Sequence, residues 1–125
     1  MNEYRIIIAG GRDFNDYDAL KEHVDRCINN VREQYGMIEI VIVSGRAKGT
    51  DVLGERYAKE KGYKVKEFPA DWQKNKKAAG PIRNKQMAEY ANALIAFWDG
   101  KSKGTKNMIE QAQNKNLYIY PIYKY

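Results

Sequence analysis

Three consecutive isoleucines, Ile6, Ile7 and Ile8, sit in the run "YRIIIAGG" near the start of the chain. Successive strand residues point to opposite faces, so an unbroken apolar run needs a sheet covered on both sides. Helices supply that cover when the strands are parallel, because each parallel connection must cross back over the sheet. "MIEIVIVSG" and "ALIAFW" repeat the feature, and "YKVKEF" and "LYIYPIYKY" add shorter strand-like stretches. Strands are expected near residues 4–9, 38–43, 63–68, 93–98 and 117–120. Pro121 favours an edge or an end for the last of them.

Helical spacing fills the gaps. Leu20, Val24, Cys27, Ile28 and Val31 predict a helix that Asn15 caps, with Asp18 three residues on, and that ends near Tyr35 and Gly36. A second helix starts at Thr50 or Asp51 and stops at Gly62, with Val52, Leu53 and Tyr57 facing inward. "PADWQKNKKAAGP" is the longest irregular segment. Pro81 then opens a helix lined by Met87, Tyr90 and Ala91. A last helix over 105–116 turns Met108, Ile109 and Ala112 inward. The expectation is an α/β fold, one domain over residues 1–125, with a mostly parallel sheet of about five strands and helices on both faces. The strand order stays open.

Composition narrows the classes. The formal net charge of +6 favours an anionic partner such as a nucleotide, a nucleic acid or an acidic protein, or simply a soluble basic surface. Cys27 is the single cysteine, so an internal disulfide is excluded, and no cysteine–histidine cluster supports a metal site. No apolar run reaches the length of a membrane span, and no secretory leader is evident, so a cytoplasmic protein without a membrane partner is expected. His23 is expected at the surface.

In an open α/β sheet a ligand sits beyond the carboxyl ends of the strands. Glycine and polar residues gather at those ends: "GGRDF" with Gly10, Gly11, Arg12 and Asp13; "SGRAKGTD" with Ser44, Gly45, Arg46, Gly49, Thr50 and Asp51; "FPADW" with Asp71 and Trp72; and "WDGKSKGT" with Asp99, Gly104 and Thr105. The second and fourth segments each precede a helix, where glycine admits close approach and free N–H groups attract phosphate. Neither matches the GxxxxGK[ST] phosphate loop, and "GGRDFND" is not GxGxxG. Arg12, Arg46 and Arg83 are candidate phosphate clamps. Each also has a plainer reading: Arg12 paired with Asp13, Arg46 as a solvated loop charge, Arg83 paired with Glu89 or a nearby carboxylate. Asp13 and Asp51 are the candidate catalytic carboxylates, although Asp51 also suits a helix start and Asp99 a turn. Trp72 and Trp98 could stack on a base. The alternating Tyr118, Tyr120, Tyr123 and Tyr125 suit a strand or a homodimer contact.

"AGGRDF", "VSGRAKGTDVLGERYA", "FPADW", "AGPIRNKQM" and "WDGKSKGTKNMI", in that order, resemble the SLOG superfamily, the Rossmann-like group that includes DprA and the lysine-decarboxylase-like LOG hydrolases. More narrowly, the chain resembles a small bacterial and phage branch with GGRDF near its start. The resemblance implies a pocket for a nucleotide or nucleotide-derived ligand at the strand ends, in the cytoplasm of a bacterium or a phage-infected host. It places Arg83 and Met87 on the arginine and methionine of the LOG "RKxxM" motif. In the LOG "GGxGTxxE" motif it keeps Gly104 and Thr105 but sets Met108 where the glutamate belongs, and Glu110 should point elsewhere. The leading expectation is therefore binding of a nucleotide-derived small molecule, for sensing or sequestration. An N-glycosidase or phosphohydrolase-like enzyme is one alternative. A nucleic-acid binder using Lys74, Lys76 and Lys77 is another, and nucleic acid is the less favoured partner. No cofactor is expected.

Overall fold

The computed structural model describes residues 2–125. Strand β1 (Glu3–Gly10) leads into α1 (Tyr17–Tyr35), then β2 (Glu39–Ser44), α2 (Thr50–Lys61) and β3 (Lys64–Glu67). A short α3 (Trp72–Asn75) and a 3-10 turn (Lys76–Ala78) run into α4 (Ala79–Tyr90). Strand β4 (Ala93–Trp98), α5 (Lys103–Asn114), β5 (Tyr118–Ile119) and β6 (Tyr123–Lys124) complete the order.

The sheet reads β3-β2-β1-β4-β5, with β6 also paired to β4, and the pairings are parallel. The consecutive isoleucines explain this architecture. Ile6 and Ile8 join the core beneath α1 and α2, with Leu20, Val24, Val31 and Tyr57. Ile7 faces the opposite core, built with Met87, Leu94, Met108, Ile109 and Ala112 from α4, β4 and α5. The mostly parallel sheet with helices on both faces is thus present. Among the described residues no helix is long and apolar enough to cross a membrane.

Several boundaries differ from the expectation. Asp16, not Asn15, caps α1, because its carboxylate accepts the Ala19 N–H at 3.0 Å. Val52 is 56% exposed, so the inner face of α2 is carried by Gly54, Tyr57 and Ala58. Gly54 packs against Ile8, where a Cβ would come within 3.0 Å. The segment after β3 is ordered into α3 and the 3-10 turn, with Asp71 capping α3 through the Lys74 N–H at 3.0 Å. Pro81 falls third in α4, still within the turn whose N–H groups lack helical partners. Pro121 divides the last strand into β5 and β6. Tyr120 is buried between them and Tyr118 is exposed. His23 is half-buried rather than at the surface. Its ring stands edge-on to Phe97, 5.4 Å between centroids, and Nε2 lies 3.0 Å from the Pro121 carbonyl. Burial lowers its pKa.

Candidate functional site

The chain leaves β1 toward β2 and β3, then returns past β1 to β4. The crevice between the carboxyl ends of β1 and β4 is therefore the topological switch point. A cavity of about 560 Å³ lies there, within the range of small-molecule sites.

One wall is the loop after β1, with Gly10, Gly11, Arg12 and Asp13. The glycine pair answers to packing. A Cβ on Gly10 would come 2.3 Å from the Phe97 carbonyl oxygen, and one on Gly11 would come 1.8 Å from the Tyr125 hydroxyl. The Gly11 carbonyl accepts both the N–H and the hydroxyl of Thr50, at 3.2 and 2.9 Å. Arg12 is exposed and makes no ion pair with Asp13 among the described residues. Asp13 instead accepts the Tyr125 hydroxyl at 2.7 Å.

The floor carries a buried carboxyl and a guanidinium. Asp51 is 6% exposed, and burial raises its pKa to about 6 against the pull of the Ala47 N–H, at 3.0 Å, and of Arg83. Arg83 donates to the Gly45 carbonyl and, at 3.0 Å, to Asn84. Burial lowers its pKa, opposed by Asp51. Glu89 is not its partner; that carboxylate pairs with Lys115. Asn84 is buried and donates to the Gly104 carbonyl at 3.3 Å and to Asn107 at 3.0 Å, so it ties the middle of α4 to the start of α5.

The third wall is the loop and first turn before and within α5. Asp99 accepts the N–H groups of Lys101 and Ser102, both at 2.8 Å, which lower its pKa. Ser102 caps α5 by accepting the Thr105 N–H at 3.4 Å. Lys103, Gly104, Thr105, Asn107 and Met108 line the cavity beside them. A Cβ on Gly104 would meet nothing within 4 Å. Glu110 is exposed and lies outside the cavity lining, whereas Met108 lines it and is buried. Trp72, 52% exposed, stands at the remaining rim with Lys77, Gly80 and Pro81. Trp98 is half-buried and donates its indole N–H to the Ser102 carbonyl at 3.0 Å.

Ten sequence-picked residues therefore converge on the cavity: Gly10, Gly11, Arg12, Asp13, Asp51, Trp72, Arg83, Asp99, Gly104 and Thr105. Ser44, Gly45, Arg46, Gly49, Thr50 and Asp71 stand outside its lining. Ser44 donates to Glu55 at 2.6 Å, and Arg46, exposed at the surface, pairs with Glu55 at 2.5 Å and Glu67 at 3.6 Å. Gly49 has φ +72°, and a Cβ there would stand 2.5 Å from the Gly11 and Arg12 carbonyl oxygens. Sequence reading missed Ala47, Asn84, Lys103 and Asn107. The glycine–hydroxyl pattern of "GKSKGT" pointed to Ser102, which lines the cavity; Asn84 leaves no such trace.

A family model, "YAcAr: YspA, cpYpsA-related SLOG family", matches residues 4–75. The chain is similar to the Gene 61 protein of Mycobacterium phage D29, at 32% identity over 92% of this chain and 93% of that one. Among solved structures it is similar to DNA processing protein A (DprA) from Streptococcus pneumoniae, with a TM-score of 0.68 and 19% identity over 94% of this chain. The chain spans about half, 49%, of that DprA chain, and the likeness is one of fold.

Proposed function

The chain belongs to the YspA, cpYpsA-related SLOG family, and we propose that its switch-point cavity binds a nucleotide or nucleotide-derived small molecule for sensing or sequestration. The phosphate lies between Arg83 and the first turn of α5, and the sugar or base extends toward Arg12, Asp13 and Trp72. The observation that carries this reading is the open approach at Gly104 beside the anchored Arg83. No described residue accepts from Arg83 Nη2, which leaves donors for an anion. The α5 terminus adds unpaired N–H groups and a favourable dipole.

Calorimetry against nucleoside mono- and diphosphates and nicotinamide-derived nucleotides tests it. At least one binds the native protein, and Arg83→Lys weakens that binding about tenfold by removing the planar fork. The parent nucleoside binds both proteins alike. No binding across the panel overturns the reading.

Two observations keep other readings in play. Lys74, Lys76, Lys77, Lys101, Lys103 and Lys106 are exposed and unpaired among the described residues, which favours nucleic-acid contact. Affinity for an oligonucleotide through such contacts falls steeply with salt, whereas a mononucleotide in the cavity is far less sensitive. Asp51, buried in the cavity floor, favours a hydrolytic role more than Asp13, which already accepts Tyr125. Chromatography of the nucleotide panel after incubation reads that out as release of base or phosphate.

A further inference from the structure

Gly45 separates the two charged groups of the cavity floor. A Cβ on Gly45 would lie 2.8 Å from Arg83 Nη1 and 3.0 Å from Asp51 Oδ2. The carboxyl and the guanidinium therefore lie close together beside Gly45. No hydrogen bond joins them, and Arg83 acts on Asp51 only through space. Both line the cavity, and Asp51 Oδ2 is oriented by the Ala47 N–H.

An anion docked on Arg83 shares the cavity floor with the Asp51 carboxyl. If Asp51 stayed ionised, two negative groups would share a floor from which water is largely removed, and like charge favours the neutral acid. We propose that Asp51 engages phosphate in its protonated form: as a phosphate monoester dianion docks on Arg83, the Asp51 carboxylate takes up one proton from solvent, and the new O–H donates to a phosphate oxygen. This rests on the phosphate-binding reading of the cavity and adds its proton stoichiometry.

The surroundings agree. Glu55, on the same helix, disfavours the Asp51 charge, while the Ala47 and Gly45 N–H groups and Arg83 favour it. Arg12 bears on Arg83 from the β1 loop. Asp13 and Asp99 face the cavity from two walls, and Lys77 and Lys103 face it from its rim. Burial dominates, and the carboxyl of the free protein titrates at about 6. Because docking adds a proton, affinity falls as pH rises above about 6, by up to about tenfold per unit.

Calorimetry with 5′-AMP and with inorganic phosphate, in buffers of different ionisation heat, counts the protons. The native protein takes up close to one proton near neutral pH. Asp51→Asn, which keeps a donor and loses the charge, takes up none at this site. At pH 8 it binds 5′-AMP at least about tenfold more tightly than the native protein, and at pH 5.5 the two agree within about twofold. Comparing the two proteins cancels the titration of the phosphate itself. Native binding without proton uptake overturns the proposal and leaves the pocket standing. Weaker binding by Asp51→Asn at pH 8 does the same, since Asp51 would then be accepting from the ligand as a carboxylate. If neither these probes nor any other nucleotide of the panel binds either protein at any pH, the phosphate pocket itself fails and the proposal falls with it.

Discussion

The loops after β2 and after β4 look alike in sequence and differ in structure. Both place glycines and hydroxyls between a strand and a helix. In the first, residues 44–50, the hydroxyl of Ser44 is spent on Glu55, Arg46 on Glu55 and Glu67, and Thr50 on Gly11. Its glycines exist because neighbouring groups crowd them: the Arg83 guanidinium at Gly45, and the carbonyls of Gly11 and Arg12 at Gly49. In the second, residues 99–105, hydroxyl and carboxylate organise the turn itself, and nothing stands within 4 Å of a Cβ on Gly104. Glycine between strand and helix thus has two meanings, and the surrounding atoms decide which applies.

The closed first loop is most sensitive at Gly49. Gly49→Ala combines a positive φ with a collision against two backbone oxygens, so it should destabilise by about 3 kcal/mol or more in urea unfolding. A loss under about 1 kcal/mol would mean that the first loop is not closed as described.

Asp51, at the base of the closed loop, gives the next effect. Its folded pKa is raised to about 6, so the native state holds the proton more strongly than the unfolded chain does. The resulting stability is present below the unfolded value near 4 and is lost as pH rises through 6. Asp51→Asn lacks this slope. Between pH 4 and pH 7 the native protein should lose about 2 kcal/mol relative to the variant, read from paired denaturation curves.

Gly104→Val sharpens the other side. Its new atoms enter the open approach, so stability should change by less than about 1 kcal/mol. Affinity for the nucleotide found in the panel should nevertheless drop at least about tenfold. Unchanged affinity in the folded variant would remove the second loop from the site.

Arg46→Ala should do least. Its ion pairs are half exposed, so the loss is about 0.5 kcal/mol. Nucleotide affinity should stay within about twofold by calorimetry. A tenfold loss would return Arg46 to the site as a clamp.

The layered fold was legible because continuous apolar runs admit few arrangements. Ile6, Ile7 and Ile8 demanded cover on two faces, and Met108, Ile109 and Ala112 announced one covering helix. Strand order was not legible, since it depends on which way each crossover turns. Asn15 and Asp16 are adjacent and both can cap, so only the geometry at Asp16 separates them. The helical turns at 72–78 are too short to carry a periodic signal. In the site, Gly104 and the β1 loop could be picked because they follow strand ends, where a ligand is expected, and Arg83 because it sits in the segment leading into the helix before β4. Asn84 could not, because its burial arises only when α4 and α5 meet. Arg46 and Thr50 were drawn in by the same pattern, and tertiary partners on other elements claimed them.

Backbone amide mapping shows which loop meets the ligand. Isotope-labelled protein is titrated with the nucleotide that binds in calorimetry, and N–H shifts are followed residue by residue. The account predicts the largest changes at Lys103, Gly104 and Thr105, with Arg83 and the 10–13 loop next and little change at Arg46, Glu67 or Lys64. Changes centred on β3 and residues 44–46, with Gly104 and Thr105 unmoved, would contradict it.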